Sequence, residues 1–462
     1  MTVGAQFSGA PASGAGSRAA ATRPGPSPVA HSRDSSRLAD RAPLVCVQLL
    51  VVTLVLFQRF VVPGPAISIA VPIVLVVLVV LGVRGHIVAD LTRTGLYIAA
   101  MIACMLAALL SSTWFGLEMS LNSLALLAVV YLPFCCRLGP ELGARLPEVL
   151  ELFQRLMLAA ATVCIAQWGA QLAGWEFRDL LDVVPPQWLA STIEFNLSYP
   201  LYYGSSINKS NGVVFLEPSF ASQFLALAII VQLLLGRARW RLVLFGVALL
   251  TTLSGTGMLL LSVGLAVLAM RRGGQWTVKA SMAVAVVVVV VSATPAGSLI
   301  AERFSEGSQP GSSGHARFVA PYENVLTAVS SDVRALFLGR GAGSVTRDVQ
   351  FFNPLGIPAN YAAVPKLVGE YGLPAALLFL AFVLTVFLWR VPSITLALMS
   401  CMLYFVLSSS LLQAPIIYVC WLLTGLWATA APGDTARRGL PSRCRSPAPQ
   451  RQRQWFRLRS GE

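Results

Sequence analysis

Long apolar runs separated by short polar stretches dominate the chain from Pro43 to Ala431. Many of these runs approach 20 residues, enough for a helix to cross a hydrocarbon layer of roughly 30 Å. The pattern predicts helices near 44–62, 66–83, 96–114, 119–136, 155–174, 219–235, 242–254, 256–270, 280–297, 371–389, 393–411 and 416–431. The seventh and eighth come from one stretch, "LVLFGVALLTTLSGTGMLLLSVGLAVLAM", which is long for one crossing and short for two. Charge decides between the two readings. A single crossing would put the basic segments "GRARWR" (236–241) and "RRGGQWTVK" (271–279) on opposite sides of the membrane. Two short helices turning at Ser254-Gly255-Thr256-Gly257 put both on one side, as the positive-inside rule asks.

The expected fold is therefore all-α and polytopic, with about 12 transmembrane helices and both termini cytoplasmic. Residues 1–42 are rich in Ala, Gly, Ser, Pro and Arg and read as a disordered tail; they lack the cleavage pattern of a signal peptide. Residues 432–462 read as a second, arginine-dense tail, leaving 43–431 as the transmembrane domain. Two long extracytoplasmic loops follow, about 175–217 and 298–370. Loops of that length are usually functional or disordered, and the mixture of aromatic, acidic and basic residues here fits ordered loops.

Composition agrees with a membrane protein: 56% of residues are hydrophobic and 12% charged, against about a quarter charged in soluble domains. The net charge of +14 is not a nucleic-acid footprint, because the basic residues gather between hydrophobic runs and in the tails. In the twelve-helix topology roughly 25 of the 34 Lys and Arg lie inside, while about 12 of the 20 Asp and Glu lie outside. The eight cysteines form no CxxC or Cys/His spacing, so neither a zinc site nor a disulfide scaffold is implied. No internal repeat of the kind common in transporters is visible.

The residues able to carry chemistry collect in the two outer loops. Glu217 precedes Pro218, which suits the first position of a helix, so the carboxylate sits at the N-cap on the outer side. It can cap helix N–H groups, or it can orient a substrate or bind a hydroxyl. Arg303, Arg317, Arg334, Arg340 and Arg347 stand in the second loop, where the topology rule disfavours basic residues. Arginine grips phosphate or carboxylate with two parallel hydrogen bonds, so the group points to an anionic ligand. His315 lies two residues from Arg317, and Lys209 lies close before Glu217. "GRGAGS" (339–344) is flexible enough to bring backbone N–H groups to an anion, although no P-loop pattern occurs.

Taken in order, "NGVVFLEPSFASQF", "LTTLSGTGMLLLSVGLAV", "SSGHARF…LGRGAGS" and "NYAAVPKLVGEYGLPAALLFLAF" resemble the O-antigen polymerase and ligase superfamily over roughly residues 200–390. The chain departs from that pattern at three places. Asn208-Lys209 stand where an arginine is common, Gly255 or Gly257 replaces the hairpin arginine, and Tyr361, beside Asn360, takes the place of the ligases' histidine. The resemblance implies glycosyl transfer from undecaprenyl diphosphate at the outer face of a bacterial cytoplasmic membrane. In such a reaction an acceptor hydroxyl attacks the anomeric carbon and the lipid diphosphate leaves. Glu217, Arg317 and His315 are the expected catalytic residues; Lys209, Arg303, Arg340, Asn360 and Tyr361 are the expected substrate-binding ones.

No metal and no cofactor is expected, since arginines can stabilise the anionic leaving group. The expected partners are a lipid-linked oligosaccharide, membrane lipids and other polysaccharide-assembly proteins, with no nucleic acid. The expected function is polymerisation of lipid-linked repeat units into a surface polysaccharide. The alternatives are a ligase that moves a finished glycan to lipid or protein, and a transporter or flippase for the same substrate. A transporter should carry charged or broken helices near the bilayer midplane, whereas the charges here concentrate in the loops.

Overall fold

The computed structural model describes residues 30–64, 67–116, 118–190, 195, 197–201, 205–236, 238–274, 312–330, 332–353, 356, 359–408 and 411–427. The expected helix at 280–297, Arg303, residues 1–29 of the first tail and all of the second lie outside the described residues. The chain divides into two units, Met1–Ala42 and Pro43–Glu462. In the first, the backbone is helical from Ala30. Everything that follows concerns the second.

Five described helices are long and apolar enough to cross a bilayer: Leu91–Phe115, Leu146–Leu172, Pro218–Leu235, Gly255–Arg272 and Ala363–Leu388. Shorter apolar helices accompany them, at Arg41–Leu56, Ala70–Val83, Leu121–Cys135, Ile394–Leu407 and Ala414–Leu423. By helix length and hydropathy this is a multi-pass membrane protein. The labels used below are α1 (Ala30–Leu56), α2 (Ala70–Val83), α3 (Leu91–Phe115), α4 (Leu121–Tyr131), α5 (Leu146–Leu172), α6 (Pro218–Leu235), α7 (Arg239–Thr252) and α8 (Gly255–Arg272). The second loop contributes α9 (Ser313–Phe318), α10 (Ala320–Ser330) and α11 (Val333–Leu338), and α12 (Ala363–Leu388) follows. Two two-stranded ribbons complete the picture, Val61–Val62 with Ile67–Ser68 and Ile87–Ala89 with Cys136–Leu138.

Burial orders the bundle from inside out. Every residue of α6 from Pro218 to Gln232 is buried, and 78% of its apolar window is enclosed, against 28% for α3. Hence α6 is the central helix, and α3 turns Ile98, Ile102, Met105, Leu109 and Leu110 outward. A water-soluble helix would hide those side chains, but hydrocarbon accepts them. Around the centre, α5 runs antiparallel to α6: Gln154 donates to the Ala228 carbonyl at 2.9 Å, while Ser210, shortly before α6, donates to the Cys164 carbonyl at 2.8 Å. In contrast, α8 runs parallel to α6. A side chain at Gly257 would strike Ser222, and one at Gly264 would strike Ile230. The long apolar stretch is two helices, broken at Leu253, whose φ is 42°, and Ser254.

This packing gives the molecule two chemically different ends. At one end, Arg272 donates to the Leu233 carbonyl at 2.9 Å and Arg241 reaches Glu151 at 3.2 Å. The segments containing those arginines therefore lie at the same end of the α6–α8 group. The α3–α12 pair has a similar end, where the buried Arg93 donates to the carbonyls of Gly425 and Trp389, and Arg137 pairs with Asp90 at 2.7 Å. At the opposite end stand the N-terminus of α6, the C-terminus of α5, the turn between α7 and α8, and the α9–α11 segment.

Candidate functional site

The approach to α6 is fixed by two glutamines one turn apart on α5, Gln167 and Gln171. The Gln171 amide accepts from Asn208 N–H at 2.7 Å and donates to the Asn208 carbonyl at 3.1 Å. Gln167 accepts from Gly212 N–H at 2.9 Å and donates to the Asn211 side chain at 3.2 Å. A primary amide imitates a strand partner in this way, and an i, i+4 pair on one helix face presents two of them to one segment. The chain then turns sharply. Gly212 (φ 64°) packs on Cys164, and Val213 takes the left-handed conformation (φ 66°), which is costly for a β-branched residue. Arg59 grips the Val213 carbonyl at 3.0 Å and forms an ion pair with Asp179. Burial raises the Asp179 pKa, but the Arg59 hydrogen bonds and the Leu181 amide outweigh it and hold the carboxyl below its usual range.

So positioned, Glu217 is the N-cap residue of α6, with extended φ/ψ of −150° and 164°. Its carboxylate makes no hydrogen bond to the helix N–H groups. Instead Oε2 accepts from Ser219 Oγ at 2.9 Å and from Arg317 Nη2 at 3.2 Å, and the same Nη2 lies 3.4 Å from Ser219 Oγ. Both charged side chains are less than a fifth exposed, at 17% for Glu217 and 19% for Arg317. Two residues 100 positions apart, one from each long loop, therefore meet at the head of the central helix. Among the described residues, Nη1 and Nε of Arg317 make no hydrogen bond. Ser219 was not anticipated from the sequence, although a hydroxyl at the second position of a helix beside a carboxylate cap is a local signal.

The other expected residues distribute as follows. His315 lies on α9 with Arg317, is 8% exposed, and its Nδ1 has no hydrogen-bond partner among the described residues. Positions two apart on a helix point about 200° apart, so proximity in sequence does not bring His315 onto the Glu217 contact. Asn360 is exposed, and its N–H donates to the Ala316 carbonyl at 2.7 Å, which clips the lead-in to α12 against α9. Tyr361 donates to the Phe352 carbonyl at 2.6 Å and accepts from Asn324 at 3.2 Å; burial raises its phenol pKa. Lys209 is buried with its ammonium 4.3 Å from the centre of the Tyr199 ring.

Arg340 turns into the loop's own small core. Its Nε and Nη2 donate to the Ala328 carbonyl, and the Phe351 ring lies 4.1 Å from the guanidinium carbon. Burial lowers its pKa, partly offset by Asp332 and Asp348. These contacts account for the guanidinium within the loop and do not join it to Glu217.

The "GRGAGS" turn does present backbone N–H groups to an anion, and that anion belongs to the protein. The backbone amides of Gly343 and Val345 lie near the carboxylate of Glu370, which is 1% exposed on α12. Lys366 Nζ stands 3.9 Å from Glu370 Oε1, an atom with no hydrogen bond among the described residues. The turn is locked from the backbone as well: Arg340 N–H donates to the Gly369 carbonyl and Gly341 N–H to the Glu370 carbonyl. Glu370 was legible as the one carboxylate in "VPKLVGEYGLPAALLFLAF". Its partner was not, because a glycine turn gives no sign of what fills it.

Among the described residues no group of three or more His, Cys, Asp or Glu could hold a metal ion. No known protein family matches this chain, and no curated protein matches it either.

Proposed function

We propose that this protein joins lipid-diphosphate-linked oligosaccharide repeat units into a polysaccharide at the outer face of a bacterial cytoplasmic membrane. The observation that carries the reading is the Glu217–Ser219–Arg317 cluster, in which Nη2 of the guanidinium is fixed while Nε and Nη1 make no hydrogen bond among the described residues. In the proposed reaction a new glycosidic bond forms between an acceptor oxygen and the anomeric carbon. The carbon–oxygen bond to the diphosphate breaks, its electron pair leaves with the lipid diphosphate, and the acceptor's proton is released. A preorganised guanidinium is suited to that leaving group, because it meets the developing charge without reorganising. Glu217 serves here as the group that aims Arg317, which refines its expected role as an orienting carboxylate.

Sidedness supports the reading. The arginine-bearing ends of α6–α8 and of α3 and α12 match what the positive-inside rule places in the cytoplasm. The Glu217–Arg317 end then faces outward, in the twelve-helix topology with both tails inside. The short-motif resemblance to O-antigen polymerases and ligases over residues 200–390 points to the same chemistry.

The test is polymer formation in cells depleted of the chromosomal copy and supplied with variants. Arg317→Ala should abolish long polymer while the protein accumulates normally in the membrane. Polymer of ordinary length in that strain would remove Arg317 from the site and the reading with it. Accumulation of single lipid-linked repeats outside the membrane is the expected accompanying sign, whereas accumulation inside would indicate a flippase.

A further inference from the structure

The α10–α11 segment displays an apolar face that no other described residue covers. On α10, Pro321, Val325, Ala328 and Val329 are buried, while Tyr322 and Leu326, one turn apart, are 43% and 67% exposed. On α11, Val333 and Phe337, again one turn apart, are 70% and 54% exposed. Glu323 and Thr327 form an adjacent exposed polar line on α10. A helix with one side on protein, one apolar side open and a polar edge between them has the profile of an interfacial element.

Its depth follows from two independent registers. Phe337 packs against the kink of α12: Gly372 has φ 74°, and a side chain there would run into the Phe337 carbonyl. From Leu373 to Leu388, α12 spans 16 residues, or about 24 Å at 1.5 Å per residue, short of the roughly 30 Å hydrocarbon thickness. Hydrocarbon therefore extends past Gly372 towards the loop end. Leu373, Leu377 and Leu378, all exposed, continue the apolar surface of Phe337 along α12. The second register is on α3, where Ser111 donates to the Gly339 carbonyl at 3.1 Å. Counting from Arg93 at the opposite end, about 20 residues of helix reach beyond Ser111. Both registers place the end of α11 at or just within the hydrocarbon boundary. Trp114, 58% exposed on α3, lies there with Arg334 5.6 Å from its ring, the aromatic and snorkelling cation that mark a headgroup layer.

We infer that α10 and α11 lie in the bilayer interface at the loop end, with Tyr322, Leu326, Val333 and Phe337 seated among lipid acyl chains. The inference rests on burial and depth and not on the proposed glycosyl transfer. Its consequence is that the segment beginning three residues after Arg317 is anchored in the leaflet, so the guanidinium sits at headgroup level, not out in solvent.

The test uses the full-length protein in phospholipid vesicles with one cysteine added at a time, at Leu326, Val333 or Glu323, beside the eight native ones; each variant is nitroxide-labelled, and the parent protein labelled alongside supplies the background to subtract. These side chains are exposed, so none of the three substitutions disturbs the core. Leu326→Cys and Val333→Cys should show strong collision with oxygen and little with a water-soluble nickel chelate. Glu323→Cys should show the reverse preference relative to them. Free access of the nickel chelate to positions 326 and 333 would overturn the inference, as would immobilised spectra at both showing contact with protein instead of lipid.

Discussion

Replacing Glu217 by asparagine separates capping from aiming. Asparagine is among the preferred N-caps, and the wild-type carboxylate makes no cap bond to lose, so the helix start should tolerate the change. The Arg317 contact does not survive it, because the shorter amide loses both the charge and about one methylene of reach across a 3.2 Å pair. Two unit charges at that distance attract by about 5 kcal/mol at an effective dielectric near 20. With each side chain nearly a fifth exposed, solvent screening leaves about 1–3 kcal/mol of that for stability. A better cap offsets part of the loss, so net stability should fall by about 1 kcal/mol or less. Activity should fall further. A guanidinium no longer aimed forfeits most of a transition-state contact worth about 3 kcal/mol, or roughly 100-fold in rate. The assays are thermal unfolding of the detergent-solubilised protein and polymer length in cells at matched expression. Normal polymer from Glu217→Asn, and equally from Glu217→Asp, would refute the reasoning and leave the Glu-Pro pair as a helix start.

Arg317→Lys should also lose most polymer-forming activity, since a lysine can hold Glu217 or meet a ligand but cannot do both with a planar fork; retained activity would show that charge alone suffices. Glu370→Leu should destabilise by about 1–3 kcal/mol, because it removes the carboxylate that faces the Lys366 ammonium and lies near the Gly343 and Val345 amides, and the unfolding midpoint reports it. Gly372→Ala should fail to accumulate or should unfold early, whereas Gly82→Ala, on an open face of α2, should be neutral or gain up to about 1 kcal/mol. Topology reporters fused at Gly273 and at Gly356 should report opposite sides of the membrane, cytoplasmic for Gly273; the same side for both would undo the assignment of ends.

The apolar runs located the described apolar helices, because a run's length and composition are local properties and lipid asks for little more. The break near Ser254 was legible from charge, and the structure has it at Leu253–Ser254. Glu217 at the head of a helix was legible from the proline that follows it. What the carboxylate touches was not, since Arg317 arrives from a loop 100 residues away and only helix packing decides which loops share an end. The same limit hid what the "GRGAGS" turn packs against: a glycine turn advertises free N–H groups, and the tertiary fold gives Arg340 and Gly341 the backbone carbonyls of Gly369 and Glu370 on α12. It also explains why Arg340, Arg317 and Lys209, alike as loop cations, part company. Arg340 enters a small core beside Phe351, Lys209 lies on Tyr199, and Arg317 pairs with Glu217. Hydrophobic periodicity acts over one helix turn, but the pairing of charges depends on where whole helices end, and that is settled by the close contacts of α6, α8 and α12.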